Sequence, residues 1–242
     1  MKISVAGIAG VILLAGLSAC ANLPQGTTTV PVAGVTPEIK VDQYWWYCRF
    51  KVNWPEDAEP GMVVDLMLAH AVVGPVLQLH RQGIPYWRFH RRAVRDDAGH
   101  QFSFIFYSDR GTATAVMTDM RNSALLQQAL SNKVLDRISV DDPDDPARPG
   151  LKDTSDPNWS IEIQRNWPAY IMGVSTAWLG LIDDVMRDAR ASTDLQELIQ
   201  QYHQAHAKIT AMWNREGQHA FIHHLSAIFG YEPLLIQKEI RF

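Results

Sequence analysis

The chain has 242 residues, 22 Lys plus Arg against 26 Asp plus Glu, and a formal net charge of −4. That balance argues against a basic nucleic-acid binder, and two Cys argue against a small disulfide framework. With 47% apolar and 20% charged residues it has the composition of a folded protein with one sizeable core.

Lys2 precedes an uncharged stretch rich in Ala, Gly, Val, Ile and Leu that closes on Leu17-Ser18-Ala19-Cys20. A positive start, a short apolar run and small residues ahead of the Cys predict a secretory signal peptide over residues 1–19, too short to span a bilayer comfortably. The motif resembles the lipobox of bacterial lipoproteins. The resemblance implies cleavage ahead of Cys20, lipidation of its thiol and its new α-amino group by palmitate-like chains, and a membrane partner held through that anchor. Several acyl chains, at roughly 0.8 kcal/mol per buried CH2, make such attachment effectively permanent. Ala21 rather than Asp after the Cys implies the outer membrane, facing the periplasm. Residues 21–40 carry Thr, Pro and Gly with little bulk, so 20–40 reads as a lipidated tether and 41–242 as one α+β domain. With the Cys20 thiol lipidated, Cys48 is the one thiol left and has no Cys partner, and the apolar alternation around it favours burial over metal binding or reactivity.

Along that domain, Tyr44, Trp46, Cys48, Phe50 and Val52 alternate with Trp45, Tyr47, Arg49 and Lys51, which predicts a strand over 43–52 with the first set inward. Residues 62–80 are apolar almost all round and predict a buried helix kinked or split at Pro75. Strands follow near 86–94 and 101–108, joined by a hairpin loop at 95–99. The spacing of Ala113, Val116, Met117, Met120 and Ala124 predicts a helix to about 130, and a strand around 137–140 completes a ferredoxin-like antiparallel sheet with packed helices over 41–140.

The acidic, Pro-containing run 141–158 reads as a solvated loop, its carboxylates lacking the spacing of a calcium loop. Residues 159–242 read as a helical region closed by a strand. Pro168 is suited to open a helix whose uncharged positions 169–182 have core length, and Asp194 with Glu197 suggests a capping box for the next. Gly217 either interrupts that helix or merely thins it, and a further helical stretch runs to about Phe229, with Gly230 placed to end it. Leu234, Ile236, Ile240 and Phe242 alternate with polar residues, predicting a closing strand.

Two groupings carry candidate chemistry. On a helix Glu216, His219 and His223 share a face, a spacing that can hold a transition metal, although neither a second Glu-x-x-His nor a zinc-hydrolase pattern accompanies them. Arg88, His90, Arg91, Arg92, Arg95 and His100 cluster on the predicted hairpin, where Arg88, Arg91 and His100 are candidates to line an anion-binding pocket. Arg91 shares its face with Trp87 and Phe89, so it points inward and requires a partner.

Over about 44–230 the chain also resembles the elimination domain of lantibiotic dehydratases and related thiopeptide biosynthesis proteins. Trp87-Arg88-Phe89-His90-Arg91-Arg92, His100-Gln101-Phe102-Ser103-Phe104 and Phe221-Ile222-His223-His224 match its short motifs. The resemblance implies that Arg91 stabilises a leaving carboxylate and His223 moves a proton. The arginines expected in the second strand are replaced by Phe102 and Phe104, which removes half of that anion clamp. The expectation is therefore a lipid-anchored envelope protein that binds a partner protein or peptide, uses no cofactor and does not bind nucleic acid. The alternatives are a lyase-like enzyme using Arg91 and His223, and a metal-binding protein using Glu216, His219 and His223.

Overall fold

A computed structural model describes residues 42–231. Four strands, β1 (Gln43–Val52), β2 (Tyr86–Ala93), β3 (His100–Asp109) and β4 (Leu135–Val140), form one antiparallel sheet in the order β2-β3-β1-β4. Helices lie between β1 and β2 and between β3 and β4, so the α+β, ferredoxin-like arrangement expected from the sequence is present. Trp46, Cys48 and Phe50 of β1 stand opposite Phe106, Phe104 and Phe102 of β3, because a two-residue repeat on each strand places both apolar sets on the same face.

The first helical run, Met62–Leu79, has a mean hydropathy of 1.7 and is long and apolar enough to cross a membrane by length and composition. Leu66, Met67, Leu68, Ala69 and Val73 are instead buried in the protein core. It comprises α1 (Met62–Met67), a π-helical segment (Leu68–Val73) and α2 (Gly74–Leu79). The Gly74 N–H donates to Ala69 O, five residues back. Pro75 lacks a donor and its ring crowds the carbonyl four residues earlier, so the wider turn accommodates the expected break.

The helix predicted to reach 130 is two helices, α3 (Arg110–Arg121) and α4 (Ala124–Ser131). Ser123 ends the run by capping α4, its Oγ accepting from the Leu126 N–H. The connector after β4 is a strap over the sheet's second face. Asp141 takes the Tyr47 N–H and Arg49, Arg148 O takes the Trp45 N–H, Pro149 O takes the Tyr107 hydroxyl, and Leu151 O takes Trp45 Nε1. It buries Trp45, Ile105 and Tyr107 in a second small cluster. Trp45 was expected on the outer face; it is there, and the strap makes that face interior.

The helical part comprises α5 (Ile161–Met186), α6 (Leu195–Met212), a π-helical segment (Trp213–His223) and α7 (His224–Ile228). Helix α5 begins at Ser160, whose Oγ accepts from the Ile163 N–H, so Pro168 lies inside it rather than opening it. Residues 169–182 are not the core helix expected. Pro168, Ser175 and Ile182 are buried while Tyr170 and Val174 face out. Asp194 caps α6 as anticipated, accepting from the Glu197 N–H. Gly230 follows α7 with φ of +76°, a conformation suited to Gly at a helix end. The predicted strand at 234–242 lies outside the described residues.

Candidate functional site

The described chain places one carboxylate, Asp65, wholly inside the core. It is the sole acidic residue of Met62–Leu79, and α1 holds it over the β2–β3 hairpin. Arg91 Nε donates to Asp65 Oδ2 at 2.8 Å and His100 Nε2 donates to Oδ1 at 2.9 Å. Arg91 also donates to Met62 O at 3.2 Å and stacks over the Trp178 ring at 4.8 Å. Arg91 thus has the inward direction and the partner that its strand position requires. An unpaired ion at that depth would cost several kcal/mol, by an order-of-magnitude reckoning, so the three groups hold one another in place.

His100 is fully enclosed, and its second ring nitrogen, Nδ1, has no hydrogen-bond partner among the described residues. His100 is among the residues that line a cavity of about 210 Å3, with Lys51, Trp54, Arg95 and Asp136. Arg95 is occupied there: it stacks on Trp54 at 3.5 Å and donates to the carbonyls of Trp54, Pro55 and Ala58. From α6, His206 faces Arg91 and Asp65; burial first, then Arg91, pushes its imidazolium below the ordinary range.

The hairpin cations do not form one anion pocket. Strand alternation sends Arg88 to the opposite face, where it donates to Thr154 Oγ1 at 3.0 Å and Thr154 O at 3.3 Å. Burial lowers the Arg88 pKa. Arg92 pairs with Asp96 across the turn. Only Arg91 and His100 of the predicted anion-binding set converge, and they converge on a carboxylate of the protein itself.

The C-terminal histidines are exposed. His219 and His223 stack at 4.8 Å with rings 13° from parallel, and His224 lies 5.4 Å from His223. Among the described residues no group of three or more His, Cys, Asp or Glu side chains is arranged to hold a metal ion. The proposed Glu216, His219, His223 set assumed α-helical winding, whereas Trp213–His223 is π-helical, which changes the angle between residues four apart. Imidazole lone pairs lie in the ring plane, so stacked faces do not aim them at one point. Gly217 lies where a Cβ would come within 2.6 Å of the Trp213 ring, which accounts for a glycine there.

Two further features escaped sequence reasoning. His70 Nδ1 lies 2.6 Å from the Tyr202 hydroxyl, with His70 Nε2 3.2 Å from Asp183. Burial lowers the His70 pKa and raises that of Tyr202. The Tyr202 ring is buried and its hydroxyl is engaged by His70, an arrangement that ties α6 to the first helical run. The second is Asp65 itself, for which a solitary acid in an apolar helix was the available signal. Cys48 is buried as expected, with its thiol pushed up to about 12 by desolvation, which leaves it protonated.

Neither the cavity of about 210 Å3 nor another of about 240 Å3 is lined by Arg91 or His223. Phe102 and Phe104, which stand where the dehydratase-like pattern has arginines, have no exposed surface. Comparison with protein-family models, curated proteins and solved structures finds no match to this chain.

Proposed function

We propose that the mature chain is a lipid-anchored protein of the cell envelope whose folded domain binds a partner protein or a peptide-like ligand and does not catalyse a reaction. Leu17-Ser18-Ala19-Cys20, behind an uncharged stretch headed by Lys2, carries the anchor. Ala21 favours the outer membrane, on its periplasmic side. Twenty-two residues, Ala21 to Asp42, separate Cys20 from β1, which allows the domain at most about 75 Å of reach from the bilayer.

The commitment of Arg91 to Asp65 and Met62 supports binding over catalysis. A guanidinium that neutralises a buried carboxylate of its own fold is not available to stabilise a leaving carboxylate.

Labelled palmitate should enter the wild-type product, and Cys20→Ala should release it from the particulate fraction. Absence of label in the wild type, or a variant held just as firmly, would overturn the assignment.

A further inference from the structure

Helix α5 carries an apolar face that the described residues leave uncovered. Ile163 is 53% exposed, Tyr170 46% and Val174 46%, with Trp159 at 38% just ahead of the helix. Positions 163, 170 and 174 fall along one side of the helix. The aromatic rings form a run, Trp159 against Trp167 at 4.9 Å and Trp167 against Tyr170 at 5.5 Å. A Cβ at Gly173 would meet nothing within 4 Å, so the backbone beside Val174 is open as well.

The N-terminal part of this face lies toward the end of the sheet that carries Gln43, the first residue of β1. Trp45, Tyr107 and Tyr86 form one row across β1, β3 and β2, beside the first residue of β1. Helix α5 runs along β2 in the same direction: Ser175 Oγ accepts the Phe89 N–H, and Trp178, one turn later, packs on Phe89 and lies under Arg91. From Ser175 back to Ile161 is roughly 21 Å of helix, whereas from Phe89 back to Tyr86 is roughly 10 Å of strand. The part of α5 ahead of Pro168, with Ile163 and Trp167, therefore reaches past that row at the end of the sheet that carries Gln43, while Tyr170 and Val174 lie level with β2.

We infer that this face rests on the lipid bilayer itself, with Trp159, Ile163, Trp167, Tyr170 and Val174 entering the boundary between headgroups and acyl chains. Trp and Tyr suit that depth because each joins an apolar ring to a polar tip. The inference rests on the lipid anchor at Cys20: the tether holds the face near the membrane, and the face sets the orientation of the domain.

The test uses the full lipoprotein, purified in detergent and returned to phosphatidylcholine vesicles with or without brominated acyl chains, which quench only tryptophans in contact with them. The emission lost in the Trp159→Phe, Trp167→Phe double variant should be quenched at least two-fold by brominated lipid in the wild type. Tyr170→Asp should reduce that quenching, and Trp213→Phe should leave it unchanged. Intact mass of the same preparation reads acylation separately. An acylated chain whose Trp159 and Trp167 are unquenched overturns the face and leaves the anchor standing. Quenching without acyl groups keeps the face and removes the anchor, and neither signal removes both. A cross-linked dimer abolished by Val174→Arg, with unquenched tryptophans, would assign the face to a second copy and overturn the inference.

Discussion

Residues 43–140 and 159–231 both carry many large apolar side chains, yet they dispose of them differently. In the first region Trp45, Trp46, Phe50, Phe102, Phe104 and Phe106 are all buried. In the second, Ile163, Tyr170, Val174, Phe221, Ile228 and Phe229 stay exposed. The difference follows from how each element satisfies its backbone. A strand must pair with a neighbour to use its N–H and C=O groups, and pairing aligns its apolar face with the next. A helix satisfies its own backbone, so it can form with one face covered and another open. Apolar surface in the sheet region builds the core, whereas in the helical region part of it stays uncovered among the described residues.

Substitutions that separate these roles should differ most in the sheet region. Asp65→Leu leaves Arg91 without its counter-charge and His100 Nε2 without its acceptor, and should cost about 3–5 kcal/mol. Phe104→Ala, which opens a cavity between β3 and the helices, should cost about 3–5 kcal/mol. Thermal unfolding followed by circular dichroism measures both, and a stability near wild type for either would refute the core described here. Ser175→Ala leaves the Phe89 N–H on the edge strand unpaired and should cost about 1–3 kcal/mol. A loss that small in α5 beside a large one at Phe104 would place the joint between the regions at Ser175.

Acid should weaken the fold by a more modest amount. Burial lowers the pKa of His70, His90 and His206; Arg88 and Arg92 add to this at His90, and Arg91 and His203 at His206, while Asp183 and Asp65 act in the opposite direction at His70 and His206. Between those lowered values and about 6.5 the unfolded chain binds protons that the folded chain does not, so stability rises with pH across that window. Unfolding temperature should therefore fall as pH is taken from 7.5 to 5, and a constant or rising value would contradict it. Smallest of all, Ile163→Ser and Val174→Ser should change stability by no more than about 0.5 kcal/mol. A cost of several kcal/mol at either would mean that the α5 face is covered within the fold.

Much of the sheet was legible because alternation acts locally. Trp46, Cys48 and Phe50 announce a strand and its inner face without reference to any other segment. Asp96 and Gly99 announce the hairpin turn, where Asp96 Oδ1 takes two backbone N–H groups and Gly99 adopts φ of +62°. The end of α3 was missed because Ser123, polar and short, reads equally well as one more position on a continuing amphipathic face. The exposure of α5 was missed because an uncharged helix looks the same in sequence whether protein covers it on all sides or on one.

The candidate site divides along the same line. The sequence by itself determined that Arg91 faces inward, since strand periodicity places it beside Trp87 and Phe89, and it determined the motif at Cys20 on which the proposed anchor depends. Only the tertiary structure decided that the partner is Asp65, 26 residues from Arg91 and 35 from His100. It alone decided that the 141–154 strap buries Trp45 and that α5 keeps an open face. Periodicity reports which way a side chain points within its own element; what it meets there depends on packing between distant segments, which one sequence does not encode in any local pattern.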